Sequence, residues 1–526
     1  MAALRPATSD VNQVSLRVLK SSLASLHLPM CGPGRIWEDS HLKGVGVASS
    51  TCRCRAADPR NAMRSPMSPG LAPPTYRRTG RRAGIVHLGF GGFHRAHQAA
   101  YLDDLAHLED LSDWAIVGAE LRDDQRRMHE VMGAQEHLYT LVLKHPDGTW
   151  QPRTIGSVAG HLHAPDDPEA LLRLLAAPTT RIVTLTITEG GYGIDPATND
   201  FDPSDPDMRA DLAGGGPPRS ALGFLAVALA RRRVARIAPF TVLSCDNIQG
   251  NGDTARSALT AFAAVRDPES AAWIEANVAF PNAMVDRITP TTSEADRLEL
   301  ITRFGIRDRW PVFAEPFRQW IIEDHFPTGR PGLERVGVQF VPDVRPYEQM
   351  KLRLLNAGHQ VIAYSGVLAG YRFVHEAAAD PELAGQLSRY LDEAIPTIEP
   401  LPGIDLDDYA RTILERFANP ELADTLERIC AFGSDRIQTF VLPVIRARLD
   451  DGVAATEAIA AVAAWARYIR TRPDLVDRRR DDLLRAAAGL DDDPSRFLST
   501  AGIFDELAVD PRFLAAFADA LNRSRP

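Results

Sequence analysis

A lysine, an asparagine and a histidine interrupt a leucine-rich stretch, Lys351-Leu-Arg-Leu-Leu-Asn356-Ala-Gly-His359, and Glu348 stands just ahead of them. Together they offer a base, an amide donor, an imidazole and a carboxyl group. At about 100° per residue, Glu348, Lys351, Asn356 and His359 share one helical arc of roughly 140°, and Leu352 and Leu355 fall inside it. A surface helix keeps its charges opposite its leucines. Interleaving them predicts polar groups that face a pocket, where each needs a partner or a task. A half-exposed helix with a solvated lysine and a satisfied core histidine is the other reading of this stretch taken alone. An amine pushed out of water gives up its charge more readily, so a lysine in such a pocket is suited to taking a proton near neutrality.

The elements upstream predict what that base would work beside. An apolar run at 85–88 ends in Gly89-Phe90-Gly91-Gly92-Phe93-His94, and a helical pattern through Tyr101 and Leu105 follows. Strand, glycine turn and helix in that order suit a dinucleotide pyrophosphate: glycines admit close backbone approach, and the helix start supplies amide donors. The third fingerprint position is His94 rather than glycine, and the acid expected after the second strand comes late, at Glu120. Such a turn also occurs with no ligand. Two further apolar runs, 181–187 and 239–244, lead into Thr188-Glu189-Gly190-Gly191-Tyr192 and Cys245-Asp246-Asn247. In an open parallel sheet, ligands bind beyond the carboxyl ends of the strands, and three strands here end in polar, turn-forming residues on one predicted edge.

Composition narrows the surroundings. A chain of 526 residues has room for about two to three domains. Its net charge of -10 argues against a nucleic-acid or anionic-membrane partner. Cys31, Cys52, Cys54, Cys245 and Cys430 show no paired zinc spacing and suit a reducing compartment. No apolar run approaches the roughly 18 residues that span a bilayer. These features predict a cytoplasmic protein with a small-molecule partner. His87, His94 and His97 lack a cysteine or acid at ligand spacing, so no metal is expected. The first 80 or so residues hold three of the five cysteines and Pro73-Pro74 and lead into a basic run ending at Arg82, and residues 1–80 are expected to be a disordered or over-extended segment.

Gly84 to Gln98, Thr188 to Tyr192, Ser244 to Asn247, Phe280-Pro-Asn-Ala-Met-Val-Asp286-Arg-Ile-Thr-Pro290 and Lys351 to His359 recur in the same order in one family. Over about residues 73–515 the chain resembles the polyol-specific long-chain dehydrogenases, the family of mannitol 2-dehydrogenase and, further off, fructuronate reductase. The resemblance implies an α/β chain: a Rossmann-type NAD-binding domain at 81–275, followed by a mostly α-helical catalytic and substrate domain at 276–526. It also implies NAD-dependent, metal-independent oxidation of a polyol to a ketose by a monomer. Lys351 matches the family's general base, and Asn247 and Asn356 match the pair that holds the alkoxide oxygen. His359 matches a substrate-orienting residue and Glu189 the acid of a proton exit path. Asp286, Glu348, Arg428 and Arg436 match residues that line or support the polyol pocket.

D-mannitol to D-fructose is the leading reaction that the resemblance implies. D-arabinitol shares the stereochemistry at the reacting end, and a hexuronate reductase shares the Lys, Asn and His set. Glu189-Gly-Gly-Tyr192 favours the polyol branch, because the uronate branch more often has lysine after the glutamate. Arg436 replaces a frequent lysine, and Phe432 replaces a frequent aspartate that would shape the pocket's edge. Arg428 and Arg436 could instead pair with carboxylates. A catalytically silent NAD-binding regulator is the alternative from another class, and the complete Lys, Asn and His set argues against it.

Overall fold

The computed structural model describes residues 71–194, 200–500 and 502–523. Eleven strands run through the described residues: β1 (Ala83–Leu88), β2 (Ala115–Glu120), β3 (Tyr139–Lys144), β4 (Trp150–Ile155), β5 (Val158–His163), β6 (Ile182–Leu185), β7 (Thr241–Ser244), β8 (Ala283–Asp286), β9 (Val312–Ala314), β10 (Gln319–Glu323) and β11 (Gln339–Val341). Five of them form a parallel sheet in the order β5-β2-β1-β6-β7, so the chain reverses its direction of growth between β1 and β6. This is the Rossmann-type arrangement, and the reversal is where such sheets open a crevice. Every residue of β6 and β7 is buried, Thr184, Thr241 and Ser244 included, as a parallel sheet covered on both faces requires. Ile85, Ile116 and Ile182 pack with helices Gln98–Ala106 and Arg126–Ala134. Val86, Leu88 and Val183 pack with Pro168–Ala176, Ala221–Ala235 and Asn251–Arg266.

Register makes the shared edge real. Leu88 lies opposite both Ala119 and Leu185, and Leu185 lies opposite Ser244. Gly89, Glu120, Thr186 and Cys245 therefore leave the sheet side by side. The edge strand β5 escaped the sequence reading because Val158-Ala-Gly-His-Leu-His163 has little apolar content; its buried His161 instead packs edge-on against Phe90.

Strands continue past residue 275. Two small sheets, β4-β3-β9 and β11-β10-β8, draw on residues 283–341, a region expected to be helical. These strands are short and are split by helix Glu294–Phe304, which hides their period. Their apolar residues Val285, Val312, Trp320 and Ile322 join the core of the first domain. The upper bound of the N-terminal segment expected at 1–80 also needs correcting. Residues 1–70 lie outside the described residues, but 71–80 are fastened to the sheet domain: the Tyr76 hydroxyl donates to Asp103, and Arg78 donates to the carbonyls of Glu136, Gly156 and Val158.

From residue 345 the chain is helical. Arg345–Met350, Lys351–Asn356 and Ala357–Leu368 form one continuous run, which packs against Pro381–Ala394, Leu426–Cys430 and Thr456–Thr471. The last of these buries Ile459, Val462, Trp465, Ala466 and Ile469, three or four residues apart, as an amphipathic helix must. No helix among the described residues is long and apolar enough to cross a membrane.

Burial pushes the imidazoles of His87, His97, His161 and His359 each down to about 3. They are neutral in the folded chain above that value and take up protons on unfolding between it and the free histidine value of about 6.5. Their contribution to stability is present above that value and is lost as pH falls from there toward 3. The thermal unfolding temperature should therefore drop steadily from about pH 6.5 to about pH 4, with proton uptake on unfolding across the same interval. An unfolding temperature that stays level down to about pH 5 would show that these rings are not held neutral.

Candidate active site

Lys351–Asn356 is a π-helical turn inside the long helical run. Its hydrogen bonds close from i to i+5, so residues five apart come to one face. Lys351 and Asn356, the outer edges of the α-helical arc, are five apart and are brought into line. π turns are rare and gather at functional sites.

Lys351 is buried, and its amine donates to Oδ1 of Asn247, just beyond β7. The amide oxygen being used, the NH2 end of Asn247 is left as a donor. Burial pushes the amine below the ordinary lysine value. Asp286 and Glu348 pull it back up, and Arg416 opposes them. Glu348 is itself buried and accepts the Gly250 amide at 3.1 Å; burial raises its carboxyl to about 7. Asp286, the last residue of β8, gives both oxygens to Arg416, at 2.8 and 2.9 Å. Arg416 also holds Glu315, at 2.9 and 2.8 Å, and all three side chains are buried. Burial alone raises Asp286, yet Arg416 outweighs it and keeps the carboxyl below its usual range.

The position of Asn247 is set by its neighbour. Asp246 accepts the amides of Ile187 and Thr188 at 3.1 and 2.9 Å and the Tyr192 hydroxyl at 2.7 Å, which ties the end of β7 to the end of β6. Asn251 adds a second brace, donating to the carbonyls of Asp246 and Ala283. His359 stacks on Phe417 with ring centres 4.0 Å apart, and its buried Nε2 has no hydrogen-bond partner among the described residues. A buried unpaired nitrogen demands an explanation, and a ligand hydroxyl supplies one.

The remaining expected site residues lie at different depths. Glu189 is exposed, and its charge acts on Asp246 and Arg436. Arg428 pairs with Asp424 at 2.8 and 2.6 Å, the carboxylate pairing left open by the sequence. Arg436 donates to the Ile429 carbonyl at 2.6 Å instead of to a carboxylate. Phe432 is 44% exposed and has left-handed backbone, φ 56°.

The glycine turn closes the other side of the edge. Gly89 has φ 88°, and a Cβ there would lie 2.2 Å from the Thr186 carbonyl oxygen. A Cβ at Gly91 would meet nothing nearer than 3.8 Å, so the backbone there borders open space. Gly92 and Phe93 begin the short helix Gly92–Ala96. His94, in the third glycine's place, stacks on His87 with centres 3.4 Å apart, so paired rings fill the helix-to-strand gap that glycine would narrow. His97 bonds the Gln319 carbonyl at 2.9 Å. Among the described residues no group of three or more His, Cys, Asp or Glu could hold a metal ion. Glu120 is enclosed, not presented at the rim: burial raises it to about 8, and it accepts the Phe90 amide beneath the turn.

The family model described as the mannitol dehydrogenase Rossmann domain matches residues 83–335, and that of the mannitol dehydrogenase C-terminal domain matches 343–524. The chain belongs to the mannitol dehydrogenase family. It is 44% identical over 462 residues to a mannitol 2-dehydrogenase of Cereibacter sphaeroides, covering 86% of this chain and 96% of that protein. The identity to the Phaeosphaeria nodorum mannitol 2-dehydrogenase is 43%, over 85% of this chain and 80% of the relative. Among solved structures, the Pseudomonas fluorescens mannitol 2-dehydrogenase in ternary complex with NAD and D-mannitol superposes with a TM-score of 0.78 at 43% identity, over 88% of this chain and 95% of that one. A D-sorbitol dehydrogenase in substrate-free form gives 0.80 at 37% identity, over 88% and 96%.

Arg416 and Glu315 went unseen in the sequence, where Asp246 figures only as a turn residue. Arg416 did leave a signal: Tyr409, Ile413, Arg416 and Phe417 follow the apolar spacing of helix Leu406–Phe417, so an arginine occupies a core position.

Gly89→Ala places a side chain against a carbonyl in a backbone region that disfavours it, a strain of roughly 1–3 kcal/mol. The variant should bind dinucleotide at least about tenfold more weakly in a fluorescence titration, with a lower unfolding temperature. Wild-type affinity in a stable variant would mean that the turn does not approach the ligand.

Proposed function

We propose that the chain is an NAD-dependent polyol 2-dehydrogenase that oxidises D-mannitol to D-fructose with Lys351 as general base, acting as a cytoplasmic monomer. The buried Lys351 amine, bonded to a neutral amide and lowered in pKa, is the observation that carries this reading. The cofactor fits the sheet edge on two counts: Gly89 admits no side chain, and Gly91 borders open space. Gly89, Phe90, Gly91, Gly92, Phe93 and His94 would hold its pyrophosphate side, with Glu120 bracing the turn through Phe90. Arg122, two residues beyond β2, is exposed and lies 3.5 Å from Asp124, whose negative charge would oppose an added phosphate, which supports NAD over NADP. When bound, the nicotinamide accepts the hydrogen and electron pair leaving the carbinol carbon.

Lys351 takes the proton of the reacting hydroxyl. The NH2 groups of Asn247 and Asn356 donate to the oxygen as its negative charge grows, a role worth about 3 kcal/mol per donor in other enzymes. His359 offers Nε2 to a neighbouring hydroxyl, while Asp286, Glu348, Arg428 and Arg436 support the polyol pocket. Glu189, at the rim, offers the proton a route to solvent. The similarity to the Pseudomonas enzyme, whose complex holds NAD and D-mannitol, supports this substrate.

Lys351→Ala should lower turnover with D-mannitol and NAD at least about 10²-fold while leaving NAD affinity nearly unchanged, and a small primary amine should restore part of it. Wild-type oxidation should rise with pH through the lowered lysine value. Near-normal turnover in Lys351→Ala would remove the lysine from the mechanism. In a panel of D-mannitol, D-sorbitol and D-arabinitol with NAD or NADP, and of D-fructose and D-fructuronate with NADH or NADPH, the D-mannitol and D-fructose pair with the NAD couple should give the highest kcat/KM in its direction. A higher value for another substrate, or for NADP, would reassign the specificity.

A further inference from the structure

The buried ion cluster of Asp286, Glu315 and Arg416, near Lys351, joins two parts of the chain. Arg416 comes from the helical domain, whereas Asp286 and Glu315 come from β8 and the turn after β9. Burial raises the Glu315 carboxyl, whereas Arg416 keeps Asp286 below its usual range, and the Lys351 amine lies within the field of Asp286. A carboxylate free to pair with that amine would hold it as ammonium, useless as a base. Here the fork of Arg416 occupies both oxygens of Asp286, and the amine bonds Asn247 instead.

We propose that Arg416, steadied by Glu315, is a positioning residue that keeps Lys351 in its proton-accepting form by engaging Asp286 and adding a fixed positive charge beside the amine. This rests on the reading of Lys351 as the base. The same helix end serves a second side chain, because Phe417 carries the stacked ring of His359. Every charged group facing the amine enters the balance: Asp286 from β8, Arg416 from helix Leu406–Phe417 and Glu348 from the preceding turn, with His97 acting in turn on Asp286. Phe317 lies under the guanidinium at 4.1 Å and completes its fixed seat.

The test is the pH profile of kcat/KM for D-mannitol oxidation with saturating NAD. In Arg416→Met the Asp286 carboxylate loses its partner and is left to act on the amine, so the acid limb should move to higher pH by at least about one unit. Glu315→Gln, nearly isosteric and safer for folding, leaves the guanidinium less neutralised and should move the limb the opposite way, by about half a unit. Arg416→Lys keeps the charge but not the fork, and should shift the limb upward by less than Arg416→Met. A merely structural cluster would lower the unfolding temperature and scale activity equally at every pH. Unmoved limbs in folded Glu315→Gln and Arg416→Lys would overturn the proposal even if Arg416→Met fails to fold. Lys351→Ala, run in parallel, separates the two ideas: if it keeps the wild-type acid limb, the lysine reading fails, whereas its loss of activity beside unmoved limbs condemns only the role of Arg416.

Discussion

Taking an ammonium group out of water is so unfavourable that a buried lysine must either find a carboxylate or surrender its proton. Burial shifts Lys351 toward the second outcome, below the ordinary lysine value. Its hydrogen bond goes to the amide oxygen of Asn247, which asks for no charge, while the nearest acids are engaged elsewhere: Asp286 by Arg416, and Glu348 by the Gly250 amide. Each of these arrangements draws on a different element, so the lysine's environment exists only when sheet edge and helical domain are both in place.

The seam between those parts is accordingly tight where helix Leu406–Phe417 ends. Beyond Arg416 and Phe417, Asn419 donates to the Lys144 carbonyl at 3.0 Å, and Trp150 donates its ring N–H to Glu421 at 2.5 Å. The β3-β4 hairpin, remote in sequence, thus pins the same helix end whose side chains reach toward Asp286 and His359. Positioning on rigid elements from both sides gives a reactive group a defined geometry that a loop would not.

Much of this was legible in advance, for physical reasons that also explain the gaps. The Rossmann-type sheet announced itself because β1, β2, β6 and β7 are apolar runs ending in turn chemistry, and Lys351, Asn356 and His359 stood out as polar residues among leucines. β5 did not, since its buried positions include histidines that find ring partners only after folding. The strands at 283–341 are too short to show a period, and Tyr76 and Arg78 become structural only through acceptors far along the chain. Arg416 was hidden by the usual expectation that arginines lie outside; its partners are more than 100 residues away. Spacing told which side chains share a face, but the π turn altered the spacing rule itself.

That turn also decides where the chain can change length. An α-helix brings residues four apart to one face and a π turn brings residues five apart there. Excising one residue between Leu352 and Leu355 would therefore let the segment close as ordinary α-helix, with a more regular hydrogen-bond ladder, while Asn356 stays on the lysine's face and His359 stays near Phe417. Excising a second would rotate everything beyond by about 100° and draw it in by about 1.5 Å relative to Lys351. The segment thus carries one residue more than its shared face requires, and helix regularity is given up at the one place where the polar side chains gather.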